Sequence, residues 1–210
     1  MYLQRIYLNS RCREARRDVS DPYEMHSTLC RAFAAADEKC PPGTFLWRME
    51  NETSSEDHAK LLVQSNSVAN WSGINYKDWL AKPPDPALDL NNLLQLETLA
   101  EGREFRFRLR ANPCVSRNGK RVGLLSNEEQ TEWLKKKGKS HGFNICALQI
   151  SQEQTLKGYQ RGNHPISIFS ALFDGVLIVT EPVAFKTAMT GGIGHGKALG
   201  LGMLSLVPLK

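Results

Sequence analysis

The segment at residues 21–36 (DPYEMHSTLCRAFAAA) constrains the fold most, because it combines the start signals of a helix with helical periodicity. Asp21 is a typical N-cap, Pro22 suits the first helical position, and Glu24 follows the cap by three residues. Apolar residues recur at helical spacing and form one face, namely Met25, Leu29, Ala32, Phe33 and Ala36. The sequence therefore predicts a helix near the start of the chain that packs one face on a core.

The first turn of this helix carries two groups that can exchange protons. Tyr23 and His26 are three residues apart, so they lie on one face of the helix. The unpaired N–H groups and the positive dipole end of the first turn attract a phosphate. A phenol and an imidazole beside an anion suit acid–base chemistry on a phosphodiester. A lone helical histidine is more often a satisfied or solvated residue, so spacing alone favours the structural interpretation.

Charge and cysteine content narrow the class of partner and the compartment. The 210 residues carry a net charge of +5 with a pI of about 9.0, which favours an anionic partner. Five cysteines, an odd number without C-x-x-C spacing, favour free thiols in a reducing cytoplasm. The N-terminus has no apolar core of signal-peptide length. The longest apolar run, residues 166–179, is broken by Asp174-Gly175 and is too short to span a membrane.

The order of the predicted segments indicates an α+β fold. Patterns of strand, helix, strand, strand, helix and strand follow one another at residues 2–9, 21–36, 44–49, 60–64, 90–100 and 104–110. This is the ferredoxin-like order, a fold that hosts many functions and names none. Further along, the patterns predict a helix at 127–137 capped by Ser126, a strand at 143–149, a hairpin of 166–173 with 176–180 about Asp174-Gly175, and a helix at 182–189.

Basic side chains gather in several places. Ahead of the helix, four arginines form either a solvated connector or a phosphate clamp: Arg11, Arg13, Arg16 and Arg17. Strand 104–110 alternates, so that three arginines share one face, suited to nucleic-acid contact or to packing against acidic neighbours: Arg106, Arg108 and Arg110. Lys120 and Arg121 follow a turn at Asn118-Gly119, and Lys157 and Arg161 lie in a predicted flexible loop at 157–163. Lysines at 135–139 suit the end of a helix, with RNA contact as a second possibility.

Residues 191–202 (GGIGHGKALGLG) form a glycine-rich segment between a helix and a final apolar stretch. Its glycines allow backbone N–H groups to approach an anion. The Rossmann spacing G-x-G-x-x-G fails here, because Lys197 or Leu199 stands where the third glycine is needed. Residues 191–197 match G-x-x-x-x-G-K, but Ala198 replaces the Ser or Thr that would hold magnesium. The segment therefore argues against a nucleotide-hydrolysing P-loop.

The same segment resembles the C-terminal glycine-rich loop of the Cas RNA-processing superfamily, G-x-G-x-x-K-x-x-G-x-G. The matching positions are Gly192, Gly194, Lys197, Gly200 and Gly202. Further matches are PYEMH at 22–26, FRLRANP at 107–113, GKR at 119–121 and the final GLGMLSLVP. Together they make the chain similar to the CasE family, the CRISPR RNA endonuclease subunits of type I-E Cascade.

The resemblance implies a fold, an activity and partners. The fold is α+β, with two tandem ferredoxin-like (RRM-like) domains of which the second is modified, and we divide them at 1–113 and 114–210. The activity is metal-independent and cofactor-independent cleavage of CRISPR precursor RNA at the base of the repeat stem-loop. Attack by the RNA 2′-hydroxyl leaves a 2′,3′-cyclic phosphate and a 5′-hydroxyl, and the product RNA is retained. The implied partners are the repeat stem-loop and other Cascade subunits in the cytoplasm, without a membrane.

The resemblance also assigns residues. It makes His26 and Tyr23 catalytic, and it leaves Arg31 as a candidate cation for the phosphate, although Arg31 does not share their helical face. The expected RNA contacts are Arg11, Arg13, Arg16, Arg17, Arg106, Arg108, Arg110, Lys120, Arg121, Lys157, Arg161, Gly192, Gly194, Lys197 and Gly200. His195 is expected to be a bystander.

Two other functions stay open at this point. One is a non-catalytic RNA-binding subunit of the same fold, and the other is an enzyme that holds a phosphate ligand on the glycine-rich segment. A two-metal nuclease has little support, because the sequence lacks a D-x-D or H-x-H pair and its nearest carboxylate pair, Glu56-Asp57, lies in a predicted loop.

Overall fold

The computed structural model of the chain describes residues 1–35, 38–50, 58–160 and 164–209. Within them, two four-stranded antiparallel sheets carry the fold. The first sheet has the order β2–β3–β1–β4, with β1 (Tyr2–Leu8), β2 (Phe45–Glu50), β3 (Ala59–Ser65) and β4 (Leu88–Asp89). Its helices are α1 (Arg13–Ser20), α2 (Pro22–Cys30) and the short α3 (Leu90–Leu93), with 3₁₀ turns at Trp71–Gly73 and Leu96–Thr98.

The core of the first sheet confirms the predicted apolar face of α2. Met25 and Leu29 are fully buried, and Ala32 is nearly so. They pack in one cluster with Ile6 of β1 and Trp47 of β2. Burial of such side chains contributes about 1.5–3 kcal/mol each, which fixes α2 firmly on the sheet.

The second sheet has the order β10–β5–β9–β8. Its strands are β5 (Glu104–Ala111), β8 (Phe143–Gln160), β9 (His164–Val179) and β10 (Leu204–Pro208). A separate hairpin pairs β6 (Cys114–Arg117) with β7 (Lys120–Gly123). The other elements are α4 (Asn127–Ser140), α5 (Pro182–Gly191) and a 3₁₀ turn at Lys197–Leu199. Ser126 caps α4 as predicted, since its side chain accepts a hydrogen bond from the N–H of Glu129.

Strand β5 does not complete the first sheet, as its place in the predicted ferredoxin-like order required. It pairs with β9 on one side and with β10 on the other. Phe105, Phe107 and Leu109 face the core of the second sheet, where they are buried. The predicted division after residue 113 would therefore separate β5 from its own sheet, and we propose a boundary between Thr98 and Glu104 instead.

The predicted hairpin about Asp174-Gly175 is wrong, because both residues lie inside the continuous strand β9. Gly175 faces Ala147 on β8, and a Cβ at Gly175 would lie only 2.0 Å from the Ala147 carbonyl oxygen. Here the glycine serves the close approach of two strands, and Asp174 binds an arginine. The predicted flexible loop at 157–163 also begins with strand, since β8 continues to Gln160.

Two boundaries near the first helix differ from expectation. The arginine-rich segment ahead of it is not a connector, because residues from Arg13 onward form α1, with Ala15 and Asp18 buried beneath it. Helix α2 ends at Cys30, where bonds such as Arg31 N–H to the Thr28 carbonyl tighten the last turn. The predicted end at Ala36 lies outside the described residues.

No helix in the described ranges is long and apolar enough to cross a membrane.

Candidate functional site

His26 lies in α2 with its ring packed on the first sheet. The ring centroid is 5.1 Å from that of Phe45, and Nε2 is 3.8 Å from the Sγ of Cys30, one turn further along the helix. Nδ1 is buried and has no hydrogen-bond partner among the described residues. Burial lowers the pKa of His26 below its ordinary value of 6.5, so the imidazole is mostly neutral at pH 7.

The neighbouring thiol stays protonated at neutral pH. Burial, and then the nearby Cys40, raises the pKa of Cys30 to about 12. The Cys30 side chain is therefore a neutral neighbour of the imidazole and not a competing nucleophile. The structure leaves one ring nitrogen of His26 without a partner among the described residues, which is an unusual state for a buried polar atom.

Asp21 caps α2 as the sequence predicts. Its Oδ1 accepts a hydrogen bond of 2.9 Å from the N–H of Tyr23. Tyr23 itself is half-buried, and it lies against Gly158 on β8. The first turn of α2 thus brings Tyr23 to the last part of a strand that belongs to the second sheet.

Helix α2 contacts two elements from the second half of the chain. One is the 3₁₀ turn Lys197–Leu199 of the glycine-rich segment, and the other is β8. The predicted RNA contacts Lys197 and Lys157 are exposed on these two elements. The structure therefore brings the helix that carries the predicted catalytic pair into contact with both basic elements, although they are separated by more than 130 positions in the sequence.

Arg31 lies at the other end of α2. Its guanidinium carbon is 4.7 Å from the centroid of the Tyr76 ring, a cation–π contact. Arg17 of α1 reaches the same ring at 5.4 Å. In this arrangement the structure does not bring Arg31 together with His26, so a role at the phosphate would require its side chain to leave Tyr76.

The glycine-rich segment packs against the first sheet. A Cβ at Gly192 would lie 2.9 Å from the Leu46 side chain, and one at Gly200 would lie 2.8 Å from the Trp47 ring. Both glycines also have positive φ, which other residues rarely adopt. Gly194 lies against Trp133 of α4 in the same way. These three glycines allow close packing, whether or not the backbone also meets a phosphate.

A group of cations surrounds the glycine-rich segment. Burial, and then the positive charges of Arg121, Lys137 and Lys197, lower the pKa of His195. Arg121 and Lys137 also act on Cys114, whose pKa burial raises. We call Arg121, Lys137 and Lys197 the cation cluster. Lys120, the next residue to Arg121, is exposed on the same hairpin.

The arginines ahead of α2 divide into two pairs. Arg16 donates to the carbonyl groups of Ser10 and Arg11, and Arg17 forms ion pairs with Asp18 and Glu24. These two side chains therefore stabilise α1 and its neighbours. Arg11 and Arg13 are exposed and available to a phosphate.

Two of the three arginines of β5, Arg108 and Arg110, follow the second of their two open interpretations, because they pack against an acidic or a polar neighbour. Arg108 forms ion pairs with Asp174 at 2.8 Å and with Glu50 at 3.3 Å. Arg110 is only 5% exposed, and it donates to the side chain and the carbonyl of Gln152. Its guanidinium is thus bonded within the protein, and an RNA contact by Arg110 stays a prediction that would require this side chain to leave Gln152. Arg106 is exposed, and Arg161 lies outside the described residues.

Comparison with known proteins identifies the family. A family model described as CRISPR associated protein matches residues 1–208. The chain belongs to this CRISPR-associated family. It is 34% identical to the CRISPR-associated endoribonuclease Cse3 of Thermus thermophilus over 221 residues, covering 99% of this chain and all of that protein. It is 31% identical to the Cascade subunit CasE of Escherichia coli K12 over 225 residues, covering both chains fully.

A solved structure of a CRISPR-associated relative confirms the fold. Thermus thermophilus Cse3 bound to an RNA representing a pre-cleavage complex superposes with a TM-score of 0.82 at 33% identity. The match covers 99% of this chain and 98% of that one. The predicted class, an α+β chain with two ferredoxin-like units, agrees with the two four-stranded sheets and with this match.

Some neighbours of the site in this CRISPR-associated chain were missed from the sequence. The spacing of His26 and Cys30, four apart on a helix, was a usable signal for their contact. The sequence favours Lys137 as a helix-end cation, although it is also part of the cation cluster. The contact of Phe45 with His26 and the approach of Gly158 to Asp21 had no local signal.

Across the described ranges, no group of three or more His, Cys, Asp or Glu side chains is placed to hold a metal ion.

Proposed function

We propose that this protein is a metal-independent endoribonuclease that cuts CRISPR precursor RNA at the base of the repeat stem-loop and keeps the product RNA. The curated relative that is 34% identical over the whole chain is named an endoribonuclease, and a second is named a Cascade subunit. The partners would be the repeat RNA and the other Cascade subunits. The free cysteines of the structure suit a cytoplasmic location.

One observation carries the catalytic part of the proposal. Helix α2, which carries Tyr23 and His26 on one face, is contacted both by the 3₁₀ turn of the glycine-rich segment and by β8. The neutral imidazole has a ring nitrogen without a partner in the described part of the chain. A buried, unpaired nitrogen costs about 1–3 kcal/mol, so a substrate group that supplies the missing hydrogen bond would gain that free energy.

The chemistry needs two proton transfers. A base takes the proton of the 2′-hydroxyl, whose oxygen attacks the adjacent phosphorus, and an acid protonates the leaving 5′-oxygen. The P–O5′ bond breaks as the P–O2′ bond forms, which leaves a 2′,3′-cyclic phosphate and a 5′-hydroxyl. The lowered pKa of His26 favours the neutral imidazole, the form that acts as the base. Tyr23 would donate a hydrogen bond to the phosphate or orient the 2′-hydroxyl.

The binding surface would be formed by the exposed cations near this turn. Duplex RNA is recognised mostly through its shape and its backbone, so cations at phosphates count more than contacts with bases. The cation cluster lies near His195 of the glycine-rich segment, and Lys157 lies on β8. Arg11, Arg13 and Lys120 extend the exposed basic surface.

A synthetic repeat RNA tests the proposal directly. Incubation of the protein with the repeat in EDTA should give a single cut at the base of the stem-loop, and mapping of the ends should find the cyclic phosphate. A 2′-deoxy nucleotide just before the cut should block the reaction. Cleavage that stops in EDTA, or that continues past the 2′-deoxy nucleotide, contradicts the mechanism.

The alternative is a non-catalytic RNA-binding subunit of the same fold. It is favoured by the intramolecular contacts of His26, because the ring packs on Phe45 and Nε2 lies beside Cys30. In that case the wild-type protein would bind the repeat tightly and leave it intact. The same cleavage assay therefore separates the two functions.

A further inference from the structure

Strand β8 is an edge strand of the second sheet, so alternate N–H groups along it point away from β9. Its last part pairs with β9 from Gln154↔Ser170 to Gln160↔His164, beyond a register shift that follows Ser151. We call this two-stranded part, residues 154–160 with 164–170, the ribbon. An outward N–H on its edge needs water or another part of the protein as acceptor.

Asp21 supplies that acceptor at one position of the ribbon. Its Oδ2 accepts a hydrogen bond of 3.3 Å from the N–H of Tyr159, 138 positions away in the sequence. Its Oδ1 accepts at the same time from the N–H of Tyr23. One carboxylate thus joins the first turn of α2 to the edge of the ribbon.

Close packing supports this junction. Gly158 is buried against the start of α2, and a Cβ there would lie 3.0 Å from Oδ1 of Asp21 and 3.3 Å from the Tyr23 ring. On either side of Gly158, the side chains of Lys157 and Tyr159 are exposed, Tyr159 by 59%. A side chain at this position would make Asp21 or the ribbon shift by a few tenths of an ångström, so the glycine suits the close approach.

We propose that Asp21 is a positioning residue, which holds Tyr23 and His26 in register with the ribbon that carries Lys157 and Tyr159. The inference rests on the proposed function, because it concerns the alignment of an RNA that contacts both the helix and the ribbon. The helix cap alone requires one oxygen of Asp21, whereas the alignment requires both. A displacement of about 1 Å in a catalytic site can cost on the order of a hundredfold in rate, so the absence of this link should be visible in catalysis.

The substitution Asp21→Asn tests the link. Asparagine caps helices about as well as aspartate, but its single acceptor oxygen cannot serve Tyr23 and Tyr159 together. With saturating repeat RNA, the single-turnover cleavage rate should fall by about tenfold, while the Kd for the RNA changes by less than about threefold. In the free protein, NMR should detect faster hydrogen exchange at the Tyr159 amide and continued protection at Tyr23.

A matched control lies at the start of α3. The carboxylate of Asp89 also uses both oxygens, accepting from the N–H of Asn91 and from the side-chain amide of Asn92. Asp89→Asn removes one acceptor in the same way, and it should leave the cleavage rate unchanged. Gly158→Ala, with Asp21 intact, should lower the rate as Asp21→Asn does, because the added methyl group must displace the Asp21 carboxylate or the ribbon by a few tenths of an ångström.

The outcomes are distinguishable. If the wild type does not cleave, the proposed function fails, and the exchange measurement still decides on the link because it needs no RNA. If Tyr159 exchanges equally fast in wild type and Asp21→Asn, the link does not exist in solution. If the exchange changes but both substitutions cleave at the wild-type rate, or if binding falls as much as the rate, Asp21 does not position the catalytic pair.

Discussion

The junction between the two sheets and the rim of the glycine-rich segment both gather basic side chains, but they use them differently. At the sheet junction, which we define by Arg48, Glu50, Arg108 and Asp174, each guanidinium binds a carboxylate. In the cation cluster, burial is the larger cause of the lowered pKa of His195, and the three positive charges lower it further. Positive charge is neutralised within the protein in the first region and accumulates in the second.

The difference follows from what faces each group. The Arg48 side chain is 3% exposed, and it donates to Glu50 and to the carbonyl oxygens of Arg108 and Met203. A guanidinium removed from water needs such partners, because its desolvation is costly. Arg121 and Lys197 are exposed on a hairpin and a 3₁₀ turn, where their charge remains available to an anionic ligand. A row of arginines in a sequence therefore indicates RNA binding only after its burial is known.

The largest effect should come from a residue that belongs to neither region. His26→Ala should reduce cleavage of the repeat RNA by about 10²–10⁴-fold, since it removes a proton-transfer group. RNA affinity should stay within about twofold, because binding energy comes from the cations. Single-turnover cleavage and filter binding measure the two quantities. The matched control is His141→Ala, at the end of α4, which should cleave like the wild type. Equal reductions of the cleavage rate in both variants would show that the loss is not specific to His26.

The sheet junction should respond in stability and not in RNA binding. Arg48→Met leaves Glu50 without its closest partner, and breaking such a buried pair typically costs about 3–5 kcal/mol in free energy of unfolding. Urea denaturation measures this destabilisation, and RNA affinity below the unfolding range should be unchanged. Arg106→Met changes an exposed arginine of β5, and it should alter stability by less than about 0.5 kcal/mol. A junction that tolerated the removal of Arg48 would contradict the assignment of these arginines to structure.

The sequence predicted local structure better than long-range pairing. The start of α2 at Asp21, its buried Met25 and Leu29, and the capped α4 were readable because caps and helical periodicity are local. The alternation of β5 was also readable, but its sheet was not, because strand partners depend on residues far away in the sequence. Asp174-Gly175 has turn chemistry, yet the close approach of Ala147 explains the glycine without a turn.

The candidate site was predictable in the same partial way. Spacing places Tyr23 and His26 on one face of the first turn but favours a structural histidine, and their catalytic role is a prediction from the family resemblance. The lowered pKa of His26 did not follow, because it depends on burial of the ring in the folded chain, where the ring also packs on Phe45 of β2. The second hydrogen bond of Asp21 was not predictable either. It is accepted from the N–H of Tyr159 on the edge of β8, which lies near Asp21 only in the folded chain.

The cation cluster should respond in RNA binding and not in stability. A double substitution of Arg121 and Lys197 to Ala should weaken binding of the repeat RNA. It should also reduce the slope of log K against log salt by about two, because each of the two cations would neutralise one phosphate. Urea denaturation should find the free energy of unfolding nearly unchanged. The comparison variant Arg108→Ala, which removes a guanidinium already paired with Asp174 and Glu50, should leave the salt slope within about 0.5 of the wild type. If the salt slope fell at the sheet junction and not in the cation cluster, the RNA contacts would lie at the sheet junction.

The smallest expected effect is a difference in how the pKa values of two histidines, His26 and His195, respond to salt. The two pKa values are lowered for different reasons. Burial alone lowers the pKa of His26, whereas burial and then three nearby cations lower that of His195. Both should titrate below 6.5 by NMR at about 0.01 M salt. Salt weakens repulsion by exposed charges, and the Debye length falls from about 30 Å to about 3 Å between about 0.01 M and about 1 M. The pKa of His195 should therefore rise with salt while that of His26 stays nearly constant, and a similar rise in both would mean that solvent reaches His26 as freely as the cation cluster.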